Sequence, residues 1–407
     1  MAIPVGFSGF GGGNFPPQPF SFGGPLPPMP PPPVDRARRD GCDRLPGVPQ
    51  NPPAGSLVIV DTFQDSWDKA DHGNIGTYAA KEHGFRGKVF AENIGPDNPQ
   101  YPRDFEARDL LRLGPQDPAT TRQAVRDIAR FRSADLLNDV SGDLNKLKGK
   151  GLHDSAVNVS YGVTPVRVAD NIVQDVFNGT HPGSVNQNLS QNIFSAYKID
   201  QSKLHSQDPK VAGPELKRLH DAVLQDTRAG FNHPEVKQAQ KRYDQSVRDL
   251  QAQHNSVVVS AGNDQATPLL WKKESKGYAT QTVASDFHNP LANSEVTTVG
   301  ATRWTRGAGG LQEKLASYSN LDPTVDVYAS GSVATGRDVN RKTVGGTSFS
   351  APRVAGALAT LHGNHPGASA GQMRNLMNNR LTHEVPGAGA PVLDFHAAEE
   401  YMRKGTF

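Results

Sequence analysis

One cysteine, Cys42, is the only thiol in the sequence, so no disulfide within the chain can staple the fold. That fits a reducing compartment, and Cys42 reads as an inert thiol. Long apolar runs are missing too: none approaches the roughly 18 consecutive apolar residues that a membrane-spanning helix needs, so no membrane insertion is expected. Charge of one sign is not in excess. Lys and Arg number 43 against 41 Asp and Glu, and the net charge of +2 gives no reason to expect a nucleic acid or an anionic membrane as partner. The opening MAIPVGFSGFGGG has neither a basic stretch nor an apolar core. No conventional signal peptide is therefore read, and the expected location is the cytoplasm or a non-classical export route. Cys/His metal spacings and EF-hand-like Asp patterns are missing as well, so no metal site is read.

The 407 residues are enough for a sizeable core. Residues 1–53 are dominated by Gly, Pro and Phe, with a run from Pro30 to Pro33. Such a composition buries too little surface to offset chain entropy, so this is expected to be a disordered low-complexity segment, plain or partner-binding. From residue 54 the texture changes. Leu57–Val60, Ala156–Ser160, Ser256–Ala261 and Val296–Ala301 are short β-branched runs of the kind found in parallel strands buried on both faces. Helical spacing appears over Ala124–Leu137 and Lys237–Gln253. Strand and helix in alternation predict an α/β domain over 54–407, with a mostly parallel central sheet flanked by helices and ligands beyond the carboxyl ends of the strands. Residues 164–233 break this rhythm. They are rich in Asn, Gln, Ser and His, and read as an insertion that overhangs whatever site follows the strand before it.

The chemistry concentrates around Gly345-Gly346-Thr347-Ser348-Phe349-Ser350-Ala351-Pro352. Two glycines allow a tight turn, and proline is tolerated only in a first helical turn. Ser348 thus stands at a helix N-terminus, where free N–H groups favour developing negative charge; an ordinary capped, buried helix is the alternative reading. A serine nucleophile needs a base, and the base needs an orienting carboxylate. Asp61 ends the run Leu57–Val60, whereas Asp65, Asp68 and Asp71 stand nearby but end no strand. His72 follows in a Gly-containing turn, and Asn263 follows the strand Ser256–Ala261, where its amide can donate to an oxyanion.

Asp, His, Asn and Ser in that chain order resemble the subtilisin-like serine proteases, or subtilases, from about Ser56 onward. GTSFSAPRVAG is similar to their serine segment and SVVVSAGND to the strand ending in the oxyanion asparagine. VNVSYG is similar to the strand that binds substrate backbone. EVTTVGAT, ASYSN, VDVYASG and VLDFHAAEEY follow in the family's order. The resemblance implies a subtilisin-like three-layer fold and a serine endopeptidase acting on protein or peptide substrates. Its implied triad is Asp61, His72 and Ser348, with Asn263 as oxyanion donor. Ser160, Tyr161 and Gly162 would hold substrate backbone, and Ser260, Ala261 and Gly262 would form another pocket wall. The reaction would require no cofactor; structural calcium, frequent in the family, is compatible with it. The turn after Asp61 lacks the family's glycine, and residues 1–53 are too short and Pro/Gly-rich for the family's folded pro-segment. A catalytically inactive protease fold used as a protein-binding module is the competing reading. A nucleotide-binding fold would need a Gly-rich turn after the first strand, and Asp61–Asp65 contains no glycine.

Overall fold

The β-branched runs become neighbouring parallel strands because each buries apolar side chains on both faces. The strands in chain order are β1 (Leu57–Asp61), β2 (Val89–Asn93), β3 (Ala156–Val159), β4 (Ser256–Ser260), β5 (Thr297–Gly307), β6 (Gly310–Leu315), β7 (Val327–Ser330), β8 (Ser332–Thr335), β9 (Lys342–Gly345), β10 (Thr382–His383) and β11 (Val392–Leu393). The central sheet runs β2-β1-β3-β4-β5-β7-β11 with all neighbours parallel. Antiparallel β10 closes one edge, β6 folds back on the second half of β5, and β8 with β9 forms a separate hairpin. The computed structural model describes residues 45–404 except 62, 64–71, 83, 94–101, 181–183, 185, 268–276, 278–279, 308–309, 322–323 and 336–341. Cys42, the run Pro30–Pro33, Asp65, Asp68 and Asp71 lie outside the described residues.

Side chains alternate across the sheet with a period of two. Val58 and Val60 of β1, Val157 and Val159 of β3, and Val257 and Val259 of β4 face one core. Leu57, Ile59, Ala156 and Val258 face the other. The first core is covered by α2 (Pro102–Leu113), α3 (Pro118–Gly149), α4 (Pro165–Asn178), α5 (Gln187–Ala196), α6 (Gln201–Leu204), α7 (Pro209–Phe231) and α8 (Pro234–Gln251). The second is covered by α1 (His72–Glu82), α9 (Thr347–Asn364), α10 (Ala370–Arg380) and α11 (Phe395–Lys404). The result is three layers, a mostly parallel sheet between two sets of helices, as expected.

Residues 45–53, grouped with the leading segment in the sequence reading, are fastened to the sheet. Val48 is buried, the Ala91 N–H donates to Pro46 O at 3.0 Å and the Asn51 N–H to Lys150 O at 2.8 Å. The compact unit accordingly starts at residue 44.

The described residues of the 164–233 segment are largely helical. Val166, Ala169, Ile172, Val173 and Val176 of α4 and Leu216, Leu219, Val223 and Leu224 of α7 belong to the same core as β1 and β3. Polar residues of this segment act as caps: Thr164, Asp200 and Asp208 each accept backbone N–H bonds at a helix start. Asp226 is buried on α7 and is satisfied by Arg122 at 2.9 Å, Arg126 at 2.7 Å and Tyr197 Oη at 2.9 Å. No helix among the described residues is long and apolar enough to cross a membrane.

Helix α9 runs through the second core on small residues. Ala351, Ala355, Ala357, Leu358, Ala359 and Leu361 are fully buried. Arg353 is buried with them, 1% exposed, and its Nη2 donates to Glu82 Oε2 at 2.7 Å and to Ser332 O at 2.9 Å. The pair locks the carboxyl end of α1 onto α9. Removing one partner of a buried ion pair strands the charge of the other, and the cost is larger for the guanidinium, 1% exposed, than for the Glu82 carboxylate, 17% exposed. Glu82→Ala is therefore expected to destabilise the fold by about 3 kcal/mol or more and Arg353→Met by less, as measured by chemical denaturation. His362, also in α9, is fully buried with Nε2 2.9 Å from Ser256 Oγ, and burial pushes its imidazole down to about 4. The unfolded chain takes up a proton below its ordinary value of 6.5 that the native one refuses, so this residue's contribution is intact above pH 6.5 and is lost as pH falls towards 4. His362→Gln should remove that share: its stability relative to the parent rises by about 1.4 kcal/mol per pH unit as the pH is lowered from 6.5 to 4, read from thermal or urea unfolding.

Candidate active site

Asp61, Ser160 and Asn263 all lie at or just beyond carboxyl ends of parallel strands, where open sheets place ligands. Strand parity sets their directions. Asp61 continues the series Leu57, Ile59, and Ser160 continues Ala156, Asn158, so both turn towards the layer of α1 and α9.

His72 is the first residue of α1. Its Nδ1 lies 2.9 Å from Asp61 Oδ1 and 2.8 Å from Oδ2. Asp61 is 1% exposed and His72 20%, so the carboxylate is buried behind a ring that still reaches solvent. Because a carboxylate accepts only, Nδ1 carries the donated proton, and in the neutral ring Nε2 is then an acceptor. Gly73 permits the approach: a Cβ there would stand 2.5 Å from the Phe63 ring. The His72 ring centroid is 5.4 Å from that of Phe349, the residue after Ser348, which brings the histidine to the first turn of α9.

Ser348 is half-buried, and its Oγ is 3.5 Å from Ser160 O, at the outer limit of a hydrogen bond. A tighter chain anchors its backbone: Asn158 Nδ2 donates to Ser160 Oγ at 2.9 Å, and Ser160 Oγ donates to Ser348 O at 2.9 Å. In this first turn the Phe349 N–H is bound to Gly346 O at 3.0 Å and the Thr347 N–H to Asn263 Oδ1 at 2.8 Å.

Thr347 fixes which way the Asn263 amide faces. A backbone N–H can only donate, so the atom 2.8 Å from it is the oxygen. The Nδ2 is left towards Gly346, where a Cβ would stand 3.4 Å from it. Gly262, with φ +106°, turns the chain into Asn263, and its N–H donates to Thr347 Oγ1 at 3.2 Å.

The predicted walls are held by two asparagines. Asn289 Nδ2 donates to Tyr161 O at 3.0 Å and to Ser260 O at 2.9 Å, so one amide joins the segment Ser160–Gly162 to Ser260–Gly262. Asn320 Nδ2 donates to Ala261 O at 3.1 Å and its Oδ1 accepts from the Asp264 N–H at 2.8 Å. The loop before Asn289 is in turn gripped by α7: Arg228 donates to both Asp286 oxygens, at 2.7 and 2.6 Å, and to Gln281 O at 2.7 Å. An open cavity of about 470 Å³ lined by Pro165, Arg228, Phe231, Val236 and His288 lies on that outer side and includes none of the predicted site residues.

All ten predicted site residues thus gather around the N-terminus of α9 and the ends of β1, β3 and β4. Sequence reasoning gave no role to Asp264, Asn289, Asn320 or Thr347. Asn320 sits in ASYSN, Asp264 and Thr347 directly beside predicted residues; Asn289 carries no local signal. Among the described residues no group of three or more His, Cys, Asp or Glu could hold a metal ion.

The model of the subtilase family matches residues 225–395, which include Asn263 and Ser348 but not Asp61 or His72. A Schizosaccharomyces pombe protein described as a subtilase-type proteinase of the sexual differentiation process is 31% identical over 103 residues, 24% of this chain and 21% of its own length. The alkaline serine protease ver112 of Corniculantispora psalliotae is 27% identical over 159 residues, 38% of this chain and 35% of its own. The chain therefore spans only about a fifth to a third of these curated relatives. Among solved structures, a lanthipeptide protease aligns with a TM-score of 0.41 at 12% identity, covering 88% of this chain and 90% of that one. The nisin leader peptidase NisP of Lactococcus lactis aligns with a TM-score of 0.37 at 13% identity, covering 87% and 88%. Residues 225–395 thus resemble the subtilase family in sequence, and the chain as described folds as a mostly parallel sheet between two helical layers.

Proposed function

We propose that the protein is a serine endopeptidase that hydrolyses peptide bonds in protein or peptide substrates through Ser348, His72 and Asp61. The observation that carries this reading is the buried Asp61 carboxylate, 2.8 Å from His72 Nδ1, beside the first turn of the helix that presents Ser348. An imidazole held in this way offers a basic Nε2 to a serine hydroxyl.

Ser348 Oγ attacks the scissile carbonyl carbon while His72 Nε2 removes its proton. The charge that develops on the carbonyl oxygen is met by the Ser348 N–H and Asn263 Nδ2, whose amide is already oriented by Thr347. His72, now an imidazolium stabilised by Asp61, returns the proton to the leaving amine as the C–N bond breaks. Water then repeats the sequence on the acyl-serine ester, releasing the acid and restoring Ser348. The protein side chains supply every proton transfer, so no cofactor is invoked. Ser160–Gly162 would pair with extended substrate backbone, and the small residues Ser260, Ala261 and Gly262 leave room for an apolar side chain before the cut.

The test is labelling by a fluorophosphonate and hydrolysis of an unstructured protein such as casein. The parent chain should do both, and Ser348→Ala should neither label nor cleave, with a turnover loss on the order of 10⁶. Asn263→Ala should keep substrate affinity and lose about 10² to 10³ in turnover, a magnitude taken from subtilisin itself. A parent chain that folds yet never labels would favour the inactive binding module. Hydrolysis that survives Ser348→Ala would assign the activity to another residue.

A further inference from the structure

Asp264 follows Asn263 and is almost fully buried, 3% exposed. A carboxylate in that position costs several kcal/mol unless it is matched, and here it is matched from one direction only. Thr164 Oγ1 donates to Asp264 Oδ2 at 2.7 Å, and Arg167 Nε donates to Oδ1 at 2.6 Å, with Arg167 Nη2 on the same oxygen. Both partners belong to the start of α4. Thr164 is the N-cap of that helix, its Oγ1 also accepting the Arg167 N–H at 3.1 Å. The hydroxyl thus accepts from the helix and gives its only proton to Asp264. Two residues before Thr164 lies Gly162, the end of the wall assigned to substrate backbone.

The geometry points to Asp264, Thr164 and Arg167 as positioning residues that hold the Asn263 turn at a fixed distance from the Ser160–Gly162 wall. This rests on the reading of Asn263 as the oxyanion donor. The turn has other anchors, Asn320 at 2.8 Å on the Asp264 N–H and Thr347 at 2.8 Å on Asn263 Oδ1, but these tie it to the segment before β7 and to α9. Among the described residues, Asn289 joins the walls lower down at Ser260 O and Asp264 joins them across the pocket mouth. An oxyanion donor acts only in the transition state, so a drift of the turn should appear in kcat and leave KM nearly unchanged. A misplacement near 1 Å is worth up to about a hundredfold, and a partial loss of anchoring about tenfold.

The experiment is a double-mutant cycle in the full chain, read by steady-state hydrolysis of a peptide substrate and by the rate of fluorophosphonate labelling. Thr164→Val keeps the shape of the side chain and removes the hydroxyl that reaches Asp264. It should lower kcat and the labelling rate about tenfold with KM changed less than about threefold, and Thr164→Ser should restore both. In an Asn263→Ala background the same Thr164→Val change should have less than about a twofold effect, because the group it positions is gone. Should Thr164→Val fail to fold, Asp264→Asn is the second variant: it keeps an acceptor for Thr164 but turns an amide towards Arg167, and the same kcat loss and the same dependence on Asn263 are expected. Equal losses with and without Asn263, a rise in KM at constant kcat, or no change at all would overturn the inference while the parent's activity stands. A parent that neither cleaves nor labels overturns the functional reading itself, and this inference with it.

Discussion

The period-two alternation of side chains along a buried parallel strand is the constraint on which the rest of the molecule depends. Leu57 and Ile59 must face one helical layer because Val58 and Val60 face the other, and Asp61 inherits the direction of Leu57. The same parity sends Ser160 towards Ser348 and Ser256 towards His362. A one-residue slip in the register of β1 would turn Asp61 into the opposite layer, towards Val159 and the α3 leucines and away from His72. The apolar cores therefore do more than stabilise. They fix which layer receives each polar side chain that emerges at the strand ends, before any of those polar groups makes a bond.

That division also explains the unequal duties of the two layers. The layer of α1 and α9 carries His72 and Ser348, and it is held by a buried Arg353–Glu82 pair and slim alanine packing. The opposite layer carries no nucleophile or base of the proposed site, yet it reaches the pocket twice. Thr164 and Arg167 of its first inserted helix bind Asp264, and Arg228 of α7 binds Asp286 ahead of Asn289. A segment with fully buried valines and leucines in the main core cannot swing away as a lid without exposing them at about 25 cal/mol for each Å². On the proposed reading of the site, Thr164, Arg167 and Arg228 of this segment brace the pocket walls.

The strands, the parallel sheet and the polar residues at its carboxyl ends were legible in the sequence because each depends on a local signal: a β-branched run, a strand end, or a Gly-Gly turn before a helix. The helices within residues 164–233 were not assigned from the sequence, because a polar composition obscured the apolar spacing behind their caps. Thr164, Asp200 and Asp208 are N-caps, and a cap is a loop signal only when the apolar spacing behind it goes unnoticed. Val166, Ala169, Ile172, Val173 and Val176 do recur at helical spacing, so that much was recoverable. The roles of Asn289 and Asn320 were not. Their bonds reach carbonyls 128 and 59 residues away in the chain, and no periodicity encodes a contact of that span.

Those long-range amide bonds also account for the choice of residue. At and just beyond the strand ends the carbonyls of Tyr161, Ser260 and Ala261 accept from side-chain amides, and a buried carbonyl without a donor costs about 1–3 kcal/mol. A further strand would satisfy them but would fill the space a substrate must occupy. A carboxylate cannot donate, and a lysine would bring an uncompensated charge into the wall. An asparagine side chain supplies two N–H donors and an acceptor on a short, neutral stem. Asn289 spends its donors across the two walls, and Asn320 closes its amide on Ala261, Phe287 and Asp264. Asn263 is built from the same group but differs in one respect: its oxygen is bound to Thr347, and its nitrogen faces the first turn of the serine helix. Two asparagines are consumed in holding the walls so that the third can keep a donor directed at the place where negative charge would develop.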